Sequence, residues 1–502
     1  MTRGDIEGLL KKAADLIRTR VDYTFILVLL FYKRISDKWR TEYETAKKEA
    51  MADGMNETEA EAEAGKTMYH DFDMPQEFLW EQIRSEPGKI PENFSGAMKQ
   101  LAEKNPELRE VFENLDFVQF TNNRENAEIL RQLVELFSIR SLHDVPADML
   151  GDAYEWILRY FAPQKAKEGE VYTPREVIQL LIDMLDPEPG DYVYDPACGS
   201  AGMLITAFQH LVKDGDRKQA DKLFLRGQEA NYKTLALAKM NLYIHDIKNA
   251  QLQPGDTLLY PKFKKGDGLQ PFDIVIANPP WNQDGYAEES LKKGEFWHSR
   301  FSYGFPTKQS ADWVWIQHML ASADGVKGKG RVGIVIDNGC LFRGGAEKAI
   351  RAKVINDDLL DAVILLPEKL FYNTGAPGAI LLFDKHKPKA RKNGVLFINA
   401  SAEFEKHPDV RKLNRLGDKN REAVVRAYAK GEEKEGFARI VKREEIEKNE
   451  YNLNVTLYVY PEEEIEEIDI PRVRKELKEI DASLVESEQK LAEYLKELGY
   501  EE

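Results

Sequence analysis

The spacing of apolar residues near the start of the chain indicates helices. Apolar side chains recur there at intervals of three and four residues, at Ile6, Leu9, Leu10, Ala13, Ala14 and Ile17. The stretch from Val21 to Ile35 is apolar enough for a buried helix. The stretch from Met51 to Gly65 is acidic and rich in alanine, which is typical of a solvated helix or an insertion. We therefore predict a helical N-terminal domain over residues 1–150.

From about Gly151 the pattern changes to short apolar runs that alternate with helical stretches. The runs that predict strands are 192–194, 223–228, 272–277, 331–336, 359–366, 379–383 and 395–398. The stretches that predict helices include 231–245, 311–323 and 345–354. Strands separated by helices of this length indicate an α/β fold with a doubly wound, mainly parallel sheet, and the last two runs suit a hairpin-like antiparallel edge. We predict that this domain covers residues 151–402.

Beyond about Ala402 the chain is highly charged, and the alternation of strands and helices stops. Its last helix is predicted to begin near Pro471 and to end at Gly499. One face of this helix carries side chains at alternating intervals of four and three, at Val473, Leu477, Ile480, Leu484, Ser487, Leu491, Tyr494 and Leu498. Such a heptad pattern is compatible with packing on the helix's own domain or with a coiled-coil contact to another helix. We predict a charged C-terminal extension over residues 403–502, with this helix as a candidate for subunit docking.

The composition is that of a globular protein. Hydrophobic residues make up 42% of the 502 and charged residues 31%, which allows a sizeable core. The longest apolar run, Thr24 to Tyr32, is shorter than the roughly 18 residues of a membrane span, and the start of the chain shows no secretory signal pattern. Two cysteines fit a reducing cytoplasm, and eight scattered histidines show no metal-ligand spacing. We expect a cytoplasmic protein with no metal site and no membrane contact.

A glycine-rich loop joins a predicted strand to a predicted helix between Asp195 and Gly202. In open α/β sheets, ligands bind where such loops turn, at the carboxyl ends of strands. Gly199 and Gly202, with Ser200 and Ala201 between them, allow the backbone to pass close to a ligand, and the helix start offers N–H groups to a carboxylate. Asp195 can hold an ammonium group of a ligand or an N–H of the loop. Such a loop alone is also compatible with general nucleotide binding or with a structural turn.

Three further segments support a cofactor that contains a nucleoside. Glu229 ends the next predicted strand, where an acidic residue can accept hydrogen bonds from both hydroxyl groups of a ribose. Asp256 follows another candidate strand and is a candidate contact to an adenine ring. Upstream of the loop lie Glu170, Val171, Tyr172, Thr173 and Pro174. Thr173 is expected to cap the helix that follows, although this segment alone is an ordinary helix start. Together these features predict S-adenosylmethionine, with residues 170–174 closing over its methionine end.

The tetrapeptide Asn278-Pro279-Pro280-Trp281 follows the predicted strand 272–277, so it lies at the same edge of the sheet as the glycine loop. Methylation of an exocyclic amine requires that the lone pair of its nitrogen be freed from conjugation with the ring. The side-chain oxygen of Asn278 and the carbonyl of Pro279 can each accept one N–H from that amine, and the prolines fix the backbone. Trp281 offers a flat face to a base taken out of the duplex. With the glycine loop upstream, the tetrapeptide predicts methyl transfer to an amine.

Several further segments resemble the modification subunit of type I restriction–modification systems, an N6-adenine DNA methyltransferase in which the cofactor loop precedes the NPP motif. They are AADL at 13–16, FYKRISD at 31–37, NLYIH at 241–245, ADWVWIQHML at 311–320, LFRGGAE at 341–347 and LPEKLFYNTG at 366–375. The resemblance covers nearly the whole chain. The departure from the family pattern is Trp281, where the family usually carries phenylalanine; an aromatic face for stacking is preserved.

This resemblance implies a Rossmann-like, S-adenosylmethionine-dependent methyltransferase domain. It assigns catalysis to Asn278 to Trp281 and cofactor contacts to Glu170 to Pro174, Asp195, Gly199 to Ala201 and Glu229. It also implies double-stranded DNA as substrate, two modification subunits around one specificity subunit that reads the sequence, and a restriction subunit as an optional partner. The formal net charge of −16 fits this assembly, because a protein that grips DNA alone usually has a basic face.

Three other functions use the same motifs. A protein glutamine methyltransferase also places an amide nitrogen at an NPP-aromatic site, but the helical front and the family segments favour DNA. A non-catalytic scaffold is disfavoured by the intact motifs. A self-contained methyltransferase with its own recognition domain is disfavoured by the small, charged region after Ala402. Restriction by this chain alone is not supported, because Gly65 to Thr67 resembles only the end of a P-loop and we find no nuclease carboxylate cluster.

Overall fold

The computed structural model divides the chain into two units, residues 1–460 and 461–502. In the first unit the structure describes residues 3–17, 22–112, 117–121, 123–143, 145–166, 173–212, 217–325, 330–371, 374–408 and 410–460. In the second unit it describes residues 477, 480, 483, 484, 487, 488, 490, 491 and 495.

The N-terminal part of the first unit is helical, as predicted. Its helices are α1 Arg3–Ile17, α2 Thr24–Ala52, α3 Glu57–Ala64, α4 Trp80–Ser85, α5 Ile90–Lys104, α6 Arg109–Phe112, α7 Phe117–Phe120, α8 Arg124–Ser138 and α9 Ala147–Ala166. The residues from Ile26 to Tyr32 are buried, so the predicted buried helix is confirmed. The core of this part also takes in Leu237, Met240 and Ile244, which places the helical part directly against the α/β part.

The α/β part is built on a sheet of nine strands. They are β1 Tyr192–Asp195, β2 Phe224–Glu229, β3 Ala250–Pro254, β4 Ile274–Ala277, β5 Arg331–Asp337, β6 Leu360–Leu365, β7 Gly378–Asp384, β8 Gly394–Asn399 and β9 Ala438–Lys442. Their order in the sheet is β9-β8-β6-β7-β5-β4-β1-β2-β3. Neighbours are parallel except that β7 is antiparallel to β5 and β6, and β9 is antiparallel to β8. The predicted mainly parallel sheet is confirmed.

Helices cover both faces of this sheet. They are α10 Arg175–Leu185, α11 Gly202–Leu211, α12 Tyr232–Ile244, α13 Glu288–Leu291, α14 Trp297–Arg300, α15 Asp312–Ser322, α16 Gly345–Asn356, α17 Asp418–Lys430 and α18 Arg443–Lys448. Successive side chains of a strand point to opposite faces. Accordingly, Val193 of β1 joins a core with Leu204 of α11, whereas Tyr194 joins a second core with Trp313 of α15. The doubly wound arrangement is therefore confirmed.

The last two predicted strands do not form a hairpin, so that prediction was wrong. Strand β7 lies between β5 and β6, and β8 pairs with β6 and β9. The residues from Gly378 to Phe383 are all buried, as expected for a strand in the middle of a sheet that is covered on both faces. We did not predict strand β9. Only Ala438 and Val441 of this charged edge strand are buried, so its sequence lacks the apolar run that marks the other strands.

The described positions of the second unit are helical. The apolar side chains of the predicted heptad face that fall on them are exposed, at Leu477, Ile480, Leu484 and Leu491. The predicted helix ends at Pro471 and Gly499 lie outside the described residues. The coiled-coil contact stays a prediction, as do the domain boundaries after 150 and 402, the first of which falls inside α9. Within the described ranges, no helix combines the length and the apolar character that crossing a bilayer demands.

Candidate active site

Neighbouring parallel strands bring the predicted site residues to one edge of the sheet. Strand β1 ends at Asp195, β2 ends at Glu229, and Asn278 directly follows β4. Strand β1 lies between β4 and β2 and is parallel to both, so the three carboxyl ends are adjacent. Asp256 follows β3, which is the next strand along the same edge. The glycine loop and the NPPW tetrapeptide are therefore neighbours, as the sheet type predicts.

Glu229 holds the glycine loop. The backbone N–H of Gly199 donates to Oε2 of Glu229 at 3.0 Å, and Oε1 of Glu229 accepts from the N–H of Asn231 at 2.8 Å. Gly199 and Ala201 have φ angles of 51° and 65°, in the left-handed region. Glycine adopts that conformation without cost, and the turn leads into α11 at Gly202. The loop thus presents the start of a helix at the carboxyl end of β1.

Asp195 is buried at the base of this loop, with 2% of its surface exposed. Its Oδ1 atom accepts the backbone N–H of Ala197 at 3.0 Å. Burial raises the pKa of Asp195 to about 8; the N–H of Ala197 opposes this shift and the charge of Glu229 adds to it. A buried carboxylate is costly unless a cation accompanies it, so this position favours a positively charged ligand group.

Asp256 lies at the carboxyl end of the next strand, where its carboxylate is already engaged by the protein. Its Oδ2 accepts the hydroxyl of Tyr286 at 2.9 Å, and its Oδ1 accepts the N–H of Leu259 at 3.2 Å. Burial and the neighbouring Asp256 charge both raise the pKa of Tyr286, so this phenol stays protonated and keeps donating. The contact of Asp256 with a cofactor adenine stays a prediction.

The amide of Asn278 is held in one orientation from two sides. Its Nδ2 donates to the hydroxyl oxygen of Thr173 at 2.6 Å, and its Oδ1 accepts the indole N–H of Trp281 at 2.8 Å. The Trp281 ring meets Phe371 edge to face, with the ring centres 4.8 Å apart. Gly378 lies beneath both rings, because a Cβ there would come within 2.8 Å of Phe371 and 3.0 Å of Trp281. The tetrapeptide therefore has a defined side-chain arrangement.

Asn282, the residue after the tetrapeptide, is held by side chains from the segments 311–320 and 341–347. In the sequence these segments stood out only by their resemblance to the family. The N–H of Asn282 donates to Oδ1 of Asp312 at 3.0 Å, and the Asn282 side-chain oxygen accepts from Nη1 of Arg343 at 2.7 Å. Arg343 is also paired with Asp312 itself and, at 3.2 Å, with Asp337. Asn282 has a φ of 52°, so these contacts hold a left-handed residue at the end of the NPPW loop.

A cavity beside the glycine loop is lined by some of the predicted site residues. The predicted residues that line it are Thr173, Asp195, Gly199, Ser200, Gly202 and Asn278. The predicted residues that do not line it are Pro174, Ala201, Glu229, Asp256, Pro279, Pro280 and Trp281. Thr173 was expected to cap α10, but Pro174 occupies the cap position and the Thr173 hydroxyl bonds to Asn278 instead, so that expectation was wrong. Glu170, Val171 and Tyr172 lie outside the described residues.

Several residues that line the cavity were not predicted. Glu155 and Leu158 come from α9, Arg175 from α10 and Asn241 from α12. The signal available for Asn241 was its place in the family segment 241–245. Glu155 sits on a helix whose apolar spacing marks it as structural, so neither charge nor spacing singled it out. The helical N-terminal part therefore contributes directly to the wall of the site.

Comparison with known proteins identifies the family. Residues 145–467 match the N-6 DNA Methylase family, and residues 6–137 match the HsdM N-terminal domain. The type I restriction enzyme MjaVII methylase subunit of Methanocaldococcus jannaschii is 45% identical over 492 residues, which cover 96% of this chain and 82% of that protein. The MjaVIII methylase subunit of the same organism is 43% identical over 513 residues, which cover 99% of this chain and 85% of that protein.

The solved structures agree with the sequence relatives. The type I restriction-modification system methyltransferase subunit from Streptococcus thermophilus matches with a TM-score of 0.76 and 26% sequence identity, over 91% of this chain and 100% of that one. The chain therefore belongs to the N-6 DNA methylases, as a modification subunit of the type I restriction–modification kind that methylates the N6 amino group of adenine in DNA.

Proposed function

We propose that the cavity at the glycine loop binds the methionine end of S-adenosylmethionine and that Asn278 to Trp281 bind the target adenine beside it. The observation that carries this proposal is that the Asn278 amide lines the same cavity as Asp195 and the glycine loop. The buried carboxylate of Asp195 suits an ammonium group of a ligand. The turn at Gly199, which has no Cβ, and the N–H groups at the start of α11 suit a carboxylate of the same ligand. The bound cofactor supplies a methyl group on a sulfonium sulfur.

Glu229 and Asp256 extend this site along the sheet edge. Each carboxylate accepts hydrogen bonds from the protein through both of its oxygen atoms, and a carboxylate can accept about four in all, which suits binding to hydroxyl groups or an exocyclic amine. In our proposal Glu229 binds the ribose and Asp256 binds the adenine ring of the cofactor. Glu170 to Pro174 complete the site at its methionine end.

Asn278 prepares the amine of the target base. Its side-chain oxygen has two lone pairs, of which the Trp281 indole takes one, so the second is available to an N–H of the adenine amine. The carbonyl of Pro279 accepts the other N–H. Both contacts draw the nitrogen lone pair out of conjugation. The indole N–H of Trp281 can only donate, so it fixes which end of the Asn278 amide is the oxygen, and the Thr173 hydroxyl accepts from the nitrogen at the other end. In our proposal the Trp281 ring also stacks on the flipped base.

Sequence recognition is assigned to a partner. The relatives are named as methylase subunits of type I restriction enzymes. We propose that two copies of this chain join one specificity subunit on double-stranded DNA, with a restriction subunit as an optional addition, in the cytoplasm. The net charge of −16 supports a partner that supplies much of the phosphate contact. Exposed apolar side chains at Leu477, Ile480, Leu484 and Leu491 support the last helix as the docking element.

The test is methyl transfer by the purified chain, with and without its specificity subunit, from cofactor labelled on the methyl group. We expect label on the N6 of adenine in DNA only when both subunits are present. The Asn278→Ala variant should lose this activity, whereas Asn249→Ala, which changes an exposed asparagine, should keep it.

Each competing function has its own outcome in this experiment. Label on protein glutamine instead of DNA would support a protein methyltransferase. Undiminished DNA methylation by Asn278→Ala would mean that the catalytic group lies elsewhere. Sequence-specific methylation without a partner would contradict the proposed division of labour between two subunits.

A further inference from the structure

Two side chains that were not predicted as site residues line the cavity beside the glycine loop. Glu155 belongs to α9, at a position that we predicted to lie just inside the methyltransferase domain, and Asn241 belongs to α12. Both line the cavity together with Asp195. All three side chains offer oxygen atoms that accept hydrogen bonds, so the lining of the cavity includes several acceptors and two carboxyl groups.

Asn241 has an oxygen atom without a partner. The side chain is fully buried, and its Nδ2 donates to the carbonyl oxygen of Ser200 in the glycine loop at 2.9 Å. This hydrogen bond fixes the orientation of the Asn241 amide and therefore also the position of its oxygen atom, Oδ1. Within the described residues, its Oδ1 atom has no hydrogen-bond partner. A buried acceptor that is left unpaired costs free energy, which a donating ligand in the same cavity would recover.

Glu155 is a carboxylate that the protein pairs only loosely. Its contacts with Nη1 of Arg175 and Nε2 of His245 are both 3.9 Å long, whereas the same Arg175 atom lies 2.5 Å from Asp152. Only 15% of the Glu155 side chain is exposed, and burial raises its pKa. The charges of Arg175 and Arg159 lower the pKa of this carboxylate, but burial outweighs them, so the Glu155 carboxylate lies in a desolvated wall with its charge only partly compensated.

We infer that Glu155, Asn241 and Asp195 form an acceptor cage for the α-ammonium group of the cofactor's methionine end. An ammonium group has three N–H donors, which match three acceptors, and its single positive charge offsets the charge of one of the two buried carboxyl groups. Because Glu155 belongs to α9, this cage also ties the helical N-terminal part to occupancy of the cofactor site. The inference rests on the proposed cofactor and names how one end of it is recognised.

The experiment compares three ligands by isothermal titration calorimetry on the full-length protein. S-adenosylhomocysteine carries both the amine and the carboxylate. 5′-Deoxy-5′-(3-aminopropylthio)adenosine carries the amine alone, and 5′-methylthioadenosine carries neither. We expect Glu155→Gln to weaken binding of the two amine-bearing ligands about 10- to 100-fold, the range for a hydrogen bond to a charged group, and to leave 5′-methylthioadenosine within about twofold. Glu176→Gln, a nearby carboxylate that does not line the cavity, is the matched control.

Several results would overturn the inference. An equal loss for all three ligands would mean that Glu155 only supports the fold, and an unchanged affinity for the amine-bearing ligands would mean that no ammonium contact exists. A loss confined to S-adenosylhomocysteine would assign Glu155 to the carboxylate end. If Glu155→Gln does not fold, the affinities of the wild-type protein for two of the ligands test the inference instead. The wild type must bind the aminopropyl ligand at least about tenfold more tightly than 5′-methylthioadenosine, and a smaller difference would refute the ammonium cage.

Failure of the inference and failure of the proposed cofactor are distinguishable. A wild-type protein that binds none of the three ligands would contradict the proposed cofactor itself. A wild-type protein that binds S-adenosylhomocysteine and 5′-methylthioadenosine equally well would leave the cofactor in place and refute only the ammonium cage.

Discussion

The indole nitrogen of Trp281 lies 2.8 Å from the side-chain oxygen of Asn278, and the Trp281→Phe variant removes this hydrogen bond while keeping an aromatic ring in the same place. A partly buried hydrogen bond between neutral groups contributes about 0.5–1.5 kcal/mol. Asn278 would still be held at its other end by Thr173, at 2.6 Å, so its amide becomes looser without being released. At about 1.4 kcal/mol per factor of ten, the methylation rate should fall about 2- to 12-fold.

The assay is single-turnover methylation of a DNA duplex by the complex with its specificity subunit. A second measurement, the fluorescence of 2-aminopurine at the target position, reports whether the base leaves the stack. We expect Trp281→Phe to slow methylation while the fluorescence change and the affinity for DNA stay as in the wild type. Trp281→Ala, which also removes the stacking surface, should reduce both the rate and the fluorescence change.

Two outcomes would refute this reasoning. If Trp281→Phe methylates at the wild-type rate, the indole N–H does not orient Asn278 during the reaction. If the variant loses base flipping in proportion to its rate, Trp281 acts through stacking alone and the 2.8 Å contact has no separate role.

Three further predictions concern the surroundings of the site. Arg343→Lys keeps the positive charge but loses the planar guanidinium group that holds Asn282, so the methylation rate should fall about tenfold while the circular dichroism spectrum is unchanged. An unchanged methylation rate would show that the NPPW loop does not need this contact. Gly378→Ala places a methyl group 3.0 Å from Trp281 and should cost about 1–3 kcal/mol in urea unfolding, and an unchanged midpoint would mean that the rings shift freely. Burial raises the pKa of Asp195 to about 8, so without ligand the unfolded chain loses this proton near pH 4 while the native protein keeps it. This group therefore makes the native state less stable as pH rises from about 4 to about 8; the stability gained by Asp195→Asn should grow over that window in urea titrations, and a constant difference would contradict the raised pKa.

The sequence alone determined the type of the sheet and the two motifs of the candidate active site. Strands and helices that alternate at this length have few arrangements open to them, and a parallel sheet places the carboxyl ends of neighbouring strands together. For that reason the glycine loop and the NPPW tetrapeptide are adjacent in the structure as expected. These features depend on residues close together in the chain, where spacing and residue type carry the information.

The tertiary structure alone decided the position of β7 in the sheet, because strands that are neighbours in the chain need not be neighbours in the sheet. It also decided the partner of Thr173, which lies 105 residues from Asn278, and the anchoring of Asn282 by Arg343, 61 residues away. Glu155 lines the cavity beside the glycine loop only because α9 contributes to the wall of that cavity. Long-range contacts of this kind leave no local signal in spacing or composition, since each partner is an ordinary polar residue until folding places it beside the other.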